Sequence, residues 1–296
     1  SSIDINVRSN DVVQPEEVLW RTDVTPINVL LALAKKLPKD EFYVKFVEGP
    51  RPHLQVKDRR SKDNQVITIT ANNRGAERTS ELFKAYFDLD PRLCKVVKLF
   101  KDFVRKSGLH YSSYPSEFLT LIVIEFFQIG FSQPLLPNLQ ENNGGVPYVV
   151  ETDNQIVDTQ FSLGNAVPEE AKQAAHVTVG ELFERLLKWC AWERDWTRHV
   201  LDISKSKFGQ RRLHSPRIYR ATGEDRRWAI LSPFGRTNLA AHFTTKSQNH
   251  FIDICRSAHF ALVKTGCLQS IMSLTDACPN PAEEGNCEGH DFFVEF

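Results

Sequence analysis

The chain has 296 residues, of which 41% are hydrophobic and 25% are charged, as in globular proteins large enough to bury one or two cores. Lys plus Arg and Asp plus Glu number 37 each, which excludes a general basic field that would attract nucleic acid but leaves room for a local basic patch. The longest apolar run, LTLIVIEFFQ, is too short to span a bilayer, and we expect neither a membrane partner nor a signal peptide.

Six cysteines are scattered along the chain without a C-x-x-C pair. Several lie in apolar helical patterns, which is typical of free, buried thiols in a reducing compartment. A reducing cytoplasmic or nuclear setting fits this pattern, and we expect a cytoplasmic protein, with perinuclear granules as one location within the cytoplasm. The tail residues Cys278, Cys287 and His290 leave a zinc site open, although structural zinc usually takes four ligands and only three are in view.

Residues 1–80 are predicted to mix strands with one helix. The first segment, SSIDINV, alternates apolar and polar residues as a half-buried strand does. The segment TPINVLLALAKKLPK is predicted to be a helix, with Thr25 as N-cap, Pro26 at its first position and Pro38 beyond its end. Three further strands are predicted at EFYVKFV, PHLQVKD and NQVITITA, with the polar turn DRRSKDN between the last two.

From residue 81 the chain changes to helical periodicity. Asp90 and Pro91 are predicted to begin a helix and Gly108 to end it. The segment SEFLTLIVIEFFQIG is apolar nearly all round, which predicts a helix inside the core. Residues 141–175 are polar with little periodicity, which is typical of a linker. The apolar stripe of the first helix consists of Leu93, Val96, Val97, Phe100 and either Phe103 or Val104.

The rest of the chain contains two more predicted helices, VGELFERLLKWCAWERDW and QNHFIDICRSAHFALVKTG. Between them lie a basic insert, KSKFGQRRLHSPRIYRATGEDRR, a short predicted strand, WAILS, and a turn, PFGRTN. We expect residues 86–265 to form a helical domain and residues 266–296 to be a flexible tail.

In this order, the segments resemble the terminal nucleotidyltransferases that add uridines or adenosines to RNA 3′ ends. The resemblance implies an α+β, two-lobed fold, with a mixed αβ palm over residues 1–85, incomplete at its N-terminus, and a helical lobe that contains a PAP-associated domain. It also implies a reaction assisted by two Mg²⁺ ions, which three carboxylates hold. The matching blocks are SIDINV, HLQVKDRRSKDNQVITITANNRG, KVVKLFKDFVRKSGL, LTLIVIEFFQ, LPNLQ, VGELFERLLKWCAWERDW and LSPFGRTNLA.

The positions that match the three metal-binding carboxylates of this family are Ser2, Asp4 and Thr68. Only Asp4 is an acid, and one carboxylate carries too little negative charge to hold two divalent ions. The resemblance therefore implies a degenerate triad, with no catalytic residue and no bound metal. Taken by itself, Asp4 is equally compatible with a solvated position on a strand.

Other positions that contact the nucleotide in this family also differ. Arg78 replaces the Asn that binds the ribose 2′-hydroxyl. At the C-terminal loop, Ser232 replaces an Asp, whereas Asn238 is retained. Pro233 and Phe234 of the same loop are expected to serve packing.

The tyrosine that stacks on the base in this family has two candidate positions here. Alignment of LTLIVIEFFQ without gaps places Glu117 there, which cannot stack, whereas a shifted alignment would place Tyr114 there. The triphosphate cations of the family are matched by Lys101 and Arg105, which are four residues apart and share a helix face, with Lys98 beside them. A solvated helix face would show the same pattern.

These differences favour a catalytically inactive nucleotidyltransferase-like module that acts as a scaffold. It is similar to the inactive N-terminal module of the animal uridylyltransferases with two transferase copies, which recruits a microRNA-precursor complex. We therefore expect a protein partner from an RNA-silencing or RNA-tailing complex, RNA as a second partner, and no cofactor. The alternative is an active uridylyl- or adenylyltransferase with an atypical, Mg²⁺-binding site, and a third hypothesis is a scaffold subunit that contacts no RNA.

The basic insert is the best candidate for a surface that faces RNA or a partner. Its tyrosine is suited to stacking on unpaired bases. A solvated loop would have a similar composition. The predicted contact residues are Lys205, Lys207, Arg211, Arg212, Arg217, Tyr219 and Arg220.

Overall fold

The chain forms two compact units, and the boundary between them falls after Arg78, within a helix. Residues 150–157 belong to the first unit. This division differs from the predicted palm and helical lobe, which met at residues 85 and 86. The structure, a computed structural model, describes residues 3–7, 25–48, 52–60, 66–71, 73–107, 109, 114–141, 149–152, 155–162, 176–197, 199–204, 228–234 and 237–267, with backbone alone for 3–7, 149–152 and 155–157.

The first unit contains a mixed four-stranded sheet in the order β1-β4-β3-β2. Its strands are β1 (Ile3–Val7), β2 (Phe42–Val47), β3 (His53–Asp58) and β4 (Val66–Ala71). β1 runs parallel to β4, whereas the β4–β3 and β3–β2 pairs are antiparallel. These are the four strands that the sequence predicts.

Helix α1 (Pro26–Lys36) covers the apolar face of this sheet. The predicted N-cap is confirmed, because Thr25 Oγ1 accepts a hydrogen bond from the backbone N–H of Asn28 at 3.2 Å. Leu30 of this helix is fully buried. Its sheet neighbours in the core are Leu54, Val56, Ile69 and Ala71.

The second unit is helical, which together with the sheet confirms the α+β class. Asp90 Oδ1 accepts the backbone N–H of Arg92 at 2.9 Å and caps α3, as predicted. Thr178 and Glu181 form a capping box at the start of α5. The helices are α2 (Arg74–Leu89, whose first residues belong to the first unit), α3 (Pro91–Lys106), α4 (Ser116–Ile129), α5 (Val179–Lys188) and α6 (Thr245–Thr265).

Helix α4 lies in the core of the second unit, as its apolar sequence predicts. Every residue from Glu117 to Gln128 is buried. Phe118 stacks on Phe243 with ring centroids 5.1 Å apart and on Trp228 at 5.8 Å. Each fully buried ring of this kind stabilises the fold by roughly 1.5–3 kcal/mol. None of the described helices is long and apolar enough to cross a membrane.

A buried amide network connects α4 to the segments around it. Gln128 Nε2 donates to the Tyr86 hydroxyl oxygen at 3.0 Å and approaches the backbone oxygens of Pro137 at 3.3 Å and Ile203 at 3.4 Å. The same hydroxyl oxygen accepts the N–H of Leu139 at 3.2 Å. Burial raises the pKa of Tyr86 to about 12, so its hydroxyl remains neutral at physiological pH.

The predicted helix VGELFERLLKWCAWERDW changes its hydrogen-bond pattern before its end. A π-helical turn, Trp189–Glu193, follows α5 directly. The Trp196 indole N–H donates to the Cys190 carbonyl at 2.9 Å, which is the carbonyl that would accept the N–H of Arg194 in an α-helix. The Arg194 N–H donates instead to the carbonyl of Trp189 at 2.9 Å, and the turn widens.

Three other segments also differ from the prediction. Helix α2 begins at Arg74, before the predicted change to helical periodicity at residue 81. Within residues 141–175, predicted to be a linker, strands β5 (Val149–Thr152) and β6 (Gln155–Asp158) form a two-stranded sheet, for which their β-branched residues are suited. The predicted strand WAILS makes only isolated bridges in the described part of the chain, to Leu201 and Asn238.

Replacement of Gln128 by Leu is expected to lower the free energy of unfolding of the second unit by about 2–4 kcal/mol, because it leaves several buried polar groups without a partner. Urea unfolding followed by tryptophan fluorescence measures this loss. Asn249→Leu, at an exposed position on α6, is the control and is expected to change the value by less than about 0.5 kcal/mol. Equal effects of the two substitutions would contradict the assigned role of Gln128.

Candidate functional site

The parallel pairing of β1 with β4 places two of the three predicted metal positions side by side. Asp4 and Thr68 are register partners, and Gln55 of β3 is the partner of Thr68 on its other side. Thr68 is buried, with 7% of its surface exposed. The residues paired in this row with Asp4 are therefore uncharged. A second polar row, two residues along, consists of Asn6, Thr70 and His53.

These residues do not fit the two-Mg²⁺ site that the resemblance implies. Such a site needs several carboxylate oxygens close together, and a threonine hydroxyl is a neutral, weak ligand. Ser2, the other replaced position, lies outside the described residues and is also a hydroxyl. Among the side chains that the structure describes, no group of three or more His, Cys, Asp or Glu residues is placed to hold a metal ion.

Arg78 lies in the second turn of α2 and is half-buried. The helix begins beside Asn73, whose Oδ1 accepts the backbone N–H of Ala76 at 3.1 Å. Arg78 belongs to the first unit, as Asp4 and Thr68 do. A long cation on a helix thus occupies the position where the family has a short amide.

Lys101 of α3 reaches the N-terminus of α4. Its Nζ donates to Ser116 Oγ, on the first residue of that helix, at 2.5 Å. Burial lowers the pKa of Lys101 to about 8, and the electrostatic influence of Cys94 opposes this shift. A helix N-terminus favours anions because its first N–H groups have no partner within the helix. A phosphate group would therefore suit this position, although Glu117, buried in the first turn, already brings a carboxyl to the same helix end.

The other two predicted phosphate cations, Lys98 and Arg105, are exposed on α3. Arg105 forms an ion pair with Asp102, which also binds Lys106 at 2.9 Å. The hydrogen bond from Lys106 lowers the pKa of Asp102, although partial burial opposes it. Despite the four-residue spacing, Arg105 therefore pairs with Asp102 on the exposed side of α3, and the predicted cation that contacts α4 is Lys101.

Tyr114, the alternative base platform, is part of the core. Its ring is 3% exposed, stacks on Phe251 at 5.7 Å and meets Phe243 edge-on at 4.8 Å. Its hydroxyl donates to the backbone oxygen of Ser247 at 3.4 Å. Burial raises the pKa of Tyr114. The ring therefore has no open face for a base in this structure. Glu117 is buried as well, so burial does not decide between the two alignments.

The side chain of Asn238 holds the backbone of its own loop together. Its Oδ1 accepts the N–H groups of Ile230 and Ala240, both at 3.0 Å. Its Nδ2 donates to the carbonyl of Trp228 at 3.3 Å. The residue is buried, and its amide is occupied by the backbone. In this structure Asn238 is a loop-forming residue, whereas the resemblance implied a contact to nucleotide.

Ser232 closes the same loop from the other side. Its N–H donates to the Thr237 carbonyl at 2.9 Å, and its Oγ accepts the Thr237 N–H at 3.3 Å. Phe234 stacks on Phe161, and the Pro233 carbonyl accepts a hydrogen bond from the side chain of Gln140, which is half-buried, at 2.9 Å. The packing role predicted for Pro233 and Phe234 is confirmed.

Sequence reasoning missed a buried ion pair in the second unit. Glu125 Oε1 of α4 lies 3.1 Å from Nη2 of Arg194, and both side chains are buried. The guanidinium also lies over the rings of Trp189 and Trp196, at 5.7 and 5.5 Å. Burial raises the pKa of Glu125 to about 7, and Arg194 opposes this shift. The signal in the sequence was a single acid in the apolar run LTLIVIEFFQ.

Several predicted positions lie outside the described residues. The tail residues Cys278, Cys287 and His290 are among them, as are Gly108 and Ser2. All predicted contact residues of the basic insert lie there too, namely Lys205, Lys207, Arg211, Arg212, Arg217, Tyr219 and Arg220.

Comparison with known proteins finds two poly(A) RNA polymerases. Poly(A) RNA polymerase gld-2 of Caenorhabditis elegans is 27% identical over 179 residues, which cover 56% of this chain and 16% of the relative. Poly(A) RNA polymerase GLD2-A of Xenopus laevis is 24% identical over 240 residues, which cover 77% of this chain and 43% of the relative. The chain thus spans less than half the length of each. No protein-family model matches it.

Solved structures show the same fold. The Cid1 poly(U) polymerase bound to Mg and 3′-dATP covers 93% of this chain with a TM-score of 0.68 and 18% identity, and 80% of its own chain is matched. A cytoplasmic RNA terminal U-transferase covers 95% with a TM-score of 0.71 and 18% identity, and 81% of its chain is matched. In sequence the chain is thus similar to poly(A) RNA polymerases, and it shares its fold with poly(U) polymerase and RNA terminal U-transferase structures, which supports a nucleotidyltransferase of the non-canonical poly(A)/poly(U) polymerase type.

Proposed function

We propose that this chain is a catalytically silent nucleotidyltransferase module that serves as a binding scaffold in an RNA 3′-tailing or small-RNA pathway. The observation that carries the proposal is the register of β1 on β4. It places the buried hydroxyl of Thr68 beside Asp4, at the position where the family has a carboxylate.

The chemistry of tailing makes this replacement decisive. Transfer of a nucleotidyl group depends on two metal ions that stabilise the attacking 3′-oxygen and the leaving pyrophosphate. One carboxylate beside neutral hydroxyl and amide groups is a poor ligand set for two divalent ions. Without the metals, the main stabilisation of the transition state is lost.

The nucleotide positions support the same proposal. Glu117 offers a buried carboxyl where the base would need an aromatic face. Asn238 uses its amide to hold its own loop. The residues that build the core form the fold without contributing to these positions.

The partners in this proposal are a protein of an RNA-tailing or RNA-silencing complex and RNA itself. The relatives are RNA polymerases and RNA transferases by name, which supports RNA as a partner here. The basic insert between Ser204 and Trp228 remains the proposed RNA contact. We propose a cytoplasmic location, which the scattered cysteines without a C-x-x-C pair support.

One observation favours the second candidate, an active transferase with an atypical metal site. Lys101 retains a position at the N-terminus of α4 that suits a phosphate group. A cation at a helix N-terminus can bind a phosphate group, but it does not activate the 3′-hydroxyl of an RNA for attack. Retained phosphate binding is therefore compatible with a silent module.

The purified chain is expected to add no nucleotides to an RNA primer with UTP or ATP and either Mg²⁺ or Mn²⁺, because the ligand set for the metals is incomplete. Primer extension on a denaturing gel measures this, with an active uridylyltransferase as positive control. Extension that Asp4→Ala abolishes would overturn the proposal in favour of the active candidate.

Lys101 is expected to support weak, metal-independent binding of inorganic triphosphate that declines as pH rises through about 8, because the ammonium loses its proton there. Isothermal titration calorimetry at several pH values measures this. Lys101→Met should remove the binding, whereas Lys98→Met, at an exposed position on the same helix, should not. Binding that is unaffected by Lys101→Met would show that this site does not hold phosphate.

The double substitution Arg211→Glu with Arg212→Glu is expected to weaken RNA binding and to reduce the slope of log affinity against log salt by about 2, because each Arg that contacts a phosphate releases a counterion. Fluorescence anisotropy with a labelled single-stranded RNA measures both quantities. Lys35→Glu with Lys36→Glu, on the exposed side of α1, is the charge-matched control. If RNA binds equally to all variants, or to none, the insert is not its contact.

A further inference from the structure

Three large apolar side chains of the second unit are exposed next to one another. Trp192 of the π-helical turn is 44% exposed, and Phe260 and Val263 of α6 are 62% and 63% exposed. The Trp192 and Phe260 rings lie 5.4 Å apart, edge to face. Phe260 and Val263 are three residues apart on α6 and therefore share one side of it. We call this surface, made of Trp192, Phe260 and Val263, the Trp192 face.

The Trp192 face is held in place by its neighbours. Trp192 packs edge-on against His259 at 5.0 Å, and the Arg256 guanidinium lies over its ring at 5.8 Å. Glu184 of α5 in turn binds the His259 ring nitrogen at 2.9 Å. A preorganised side chain loses less conformational entropy when it is covered, so these contacts favour binding.

The charges around the Trp192 face are largely balanced within it. Arg256 pairs with Asp253 at 2.7 Å, and Lys188 pairs with Glu193 at 3.1 Å. Paired charges give little net field at the surface, which disfavours a polyanion such as RNA. Lys264, exposed beside Val263, is an additional cation at one edge. The charge pattern suits an apolar partner with one acidic group near Lys264.

The size of the Trp192 face narrows the choice of partner. At the exposed fractions given above, the three side chains present roughly 300 Å² of apolar surface. A stable homodimer buries about 800 Å² on each partner, so a second copy of this chain would need much more contact area. A short helix needs less, because a few side chains spaced three or four residues apart carry most of its contact.

We infer that the Trp192 face docks a short amphipathic helix of a partner protein. Its apolar side chains, at positions i and i+3 or i+4, pack on Phe260 and Val263 against Trp192, and an acidic residue beside them pairs with Lys264. Trp, Phe and Arg are enriched at protein interfaces, and Trp and Arg are among the residue types that contribute most of the binding energy there. This inference gives the proposed scaffold a surface and a class of partner, and it does not depend on whether the chain is catalytically silent.

The test uses the full chain as bait for a displayed library of short helical peptides with randomised faces. The enriched peptides are expected to carry the apolar spacing and the acidic residue described above. Phe260→Glu should weaken their binding by about tenfold or more, and Val263→Gln should weaken it measurably. Tyr43→Glu, at a position that is 54% exposed on β2, is the matched control and should leave binding unchanged. Circular dichroism checks that each variant folds.

Four outcomes would overturn the inference. The first is that no peptides are enriched, and the second is that enriched peptides bind Phe260→Glu as well as the original chain. The third is that Phe260→Glu weakens the binding of a labelled single-stranded RNA, which would show that the face contacts RNA. The fourth is a dimer in sedimentation equilibrium that Phe260→Glu dissociates. Failure of the silent-module proposal would appear separately, as primer extension.

Discussion

The parallel pairing of β1 with β4 determines which residues lie side by side at the positions that match the metal-binding carboxylates of the family. Its register sets Asp4 beside Thr68, and Thr68 beside Gln55 on the next strand. A carboxylate on β4 would build a ligand set for divalent metals, whereas a threonine there leaves a lone acid among neutral groups. The proposed loss of activity follows from this one row. The fold does not depend on the row, because the core of this unit is formed by the apolar residues that pack on α1.

The second unit is stabilised by interactions that do not involve a nucleotide. Gln128 joins α4 to Tyr86 and to two other segments, and Glu125 pairs with Arg194 inside the core. Asn238, at a position that contacts nucleotide in the family, holds a loop. These contacts hold the second unit together by themselves, so the proposed loss of activity does not require a loss of the fold.

Local signals predicted much of the fold. Two helix starts were predictable, because an N-cap and a proline at the first helical position affect only the first turn of the helix. They are Thr25 with Pro26 and Asp90 with Pro91. The π-helical turn was not predictable, because it depends on the hydrogen bond from the Trp196 indole N–H to the Cys190 carbonyl, which forms only in the folded chain. At the candidate site, the uncharged character of Thr68 was visible in the sequence. The burial of Tyr114 and the loop-forming role of Asn238 depend on distant contacts and were not.

The most direct test of the central claim is the binding of Mn²⁺, followed by electron paramagnetic resonance, to the chain and to a variant with Ser2→Asp and Thr68→Asp. The original chain is expected to bind no pair of ions, whereas the variant, with carboxylates at all three positions, is expected to gain metal binding. Binding of two Mn²⁺ ions by the original chain, lost on Asp4→Ala, would contradict the account.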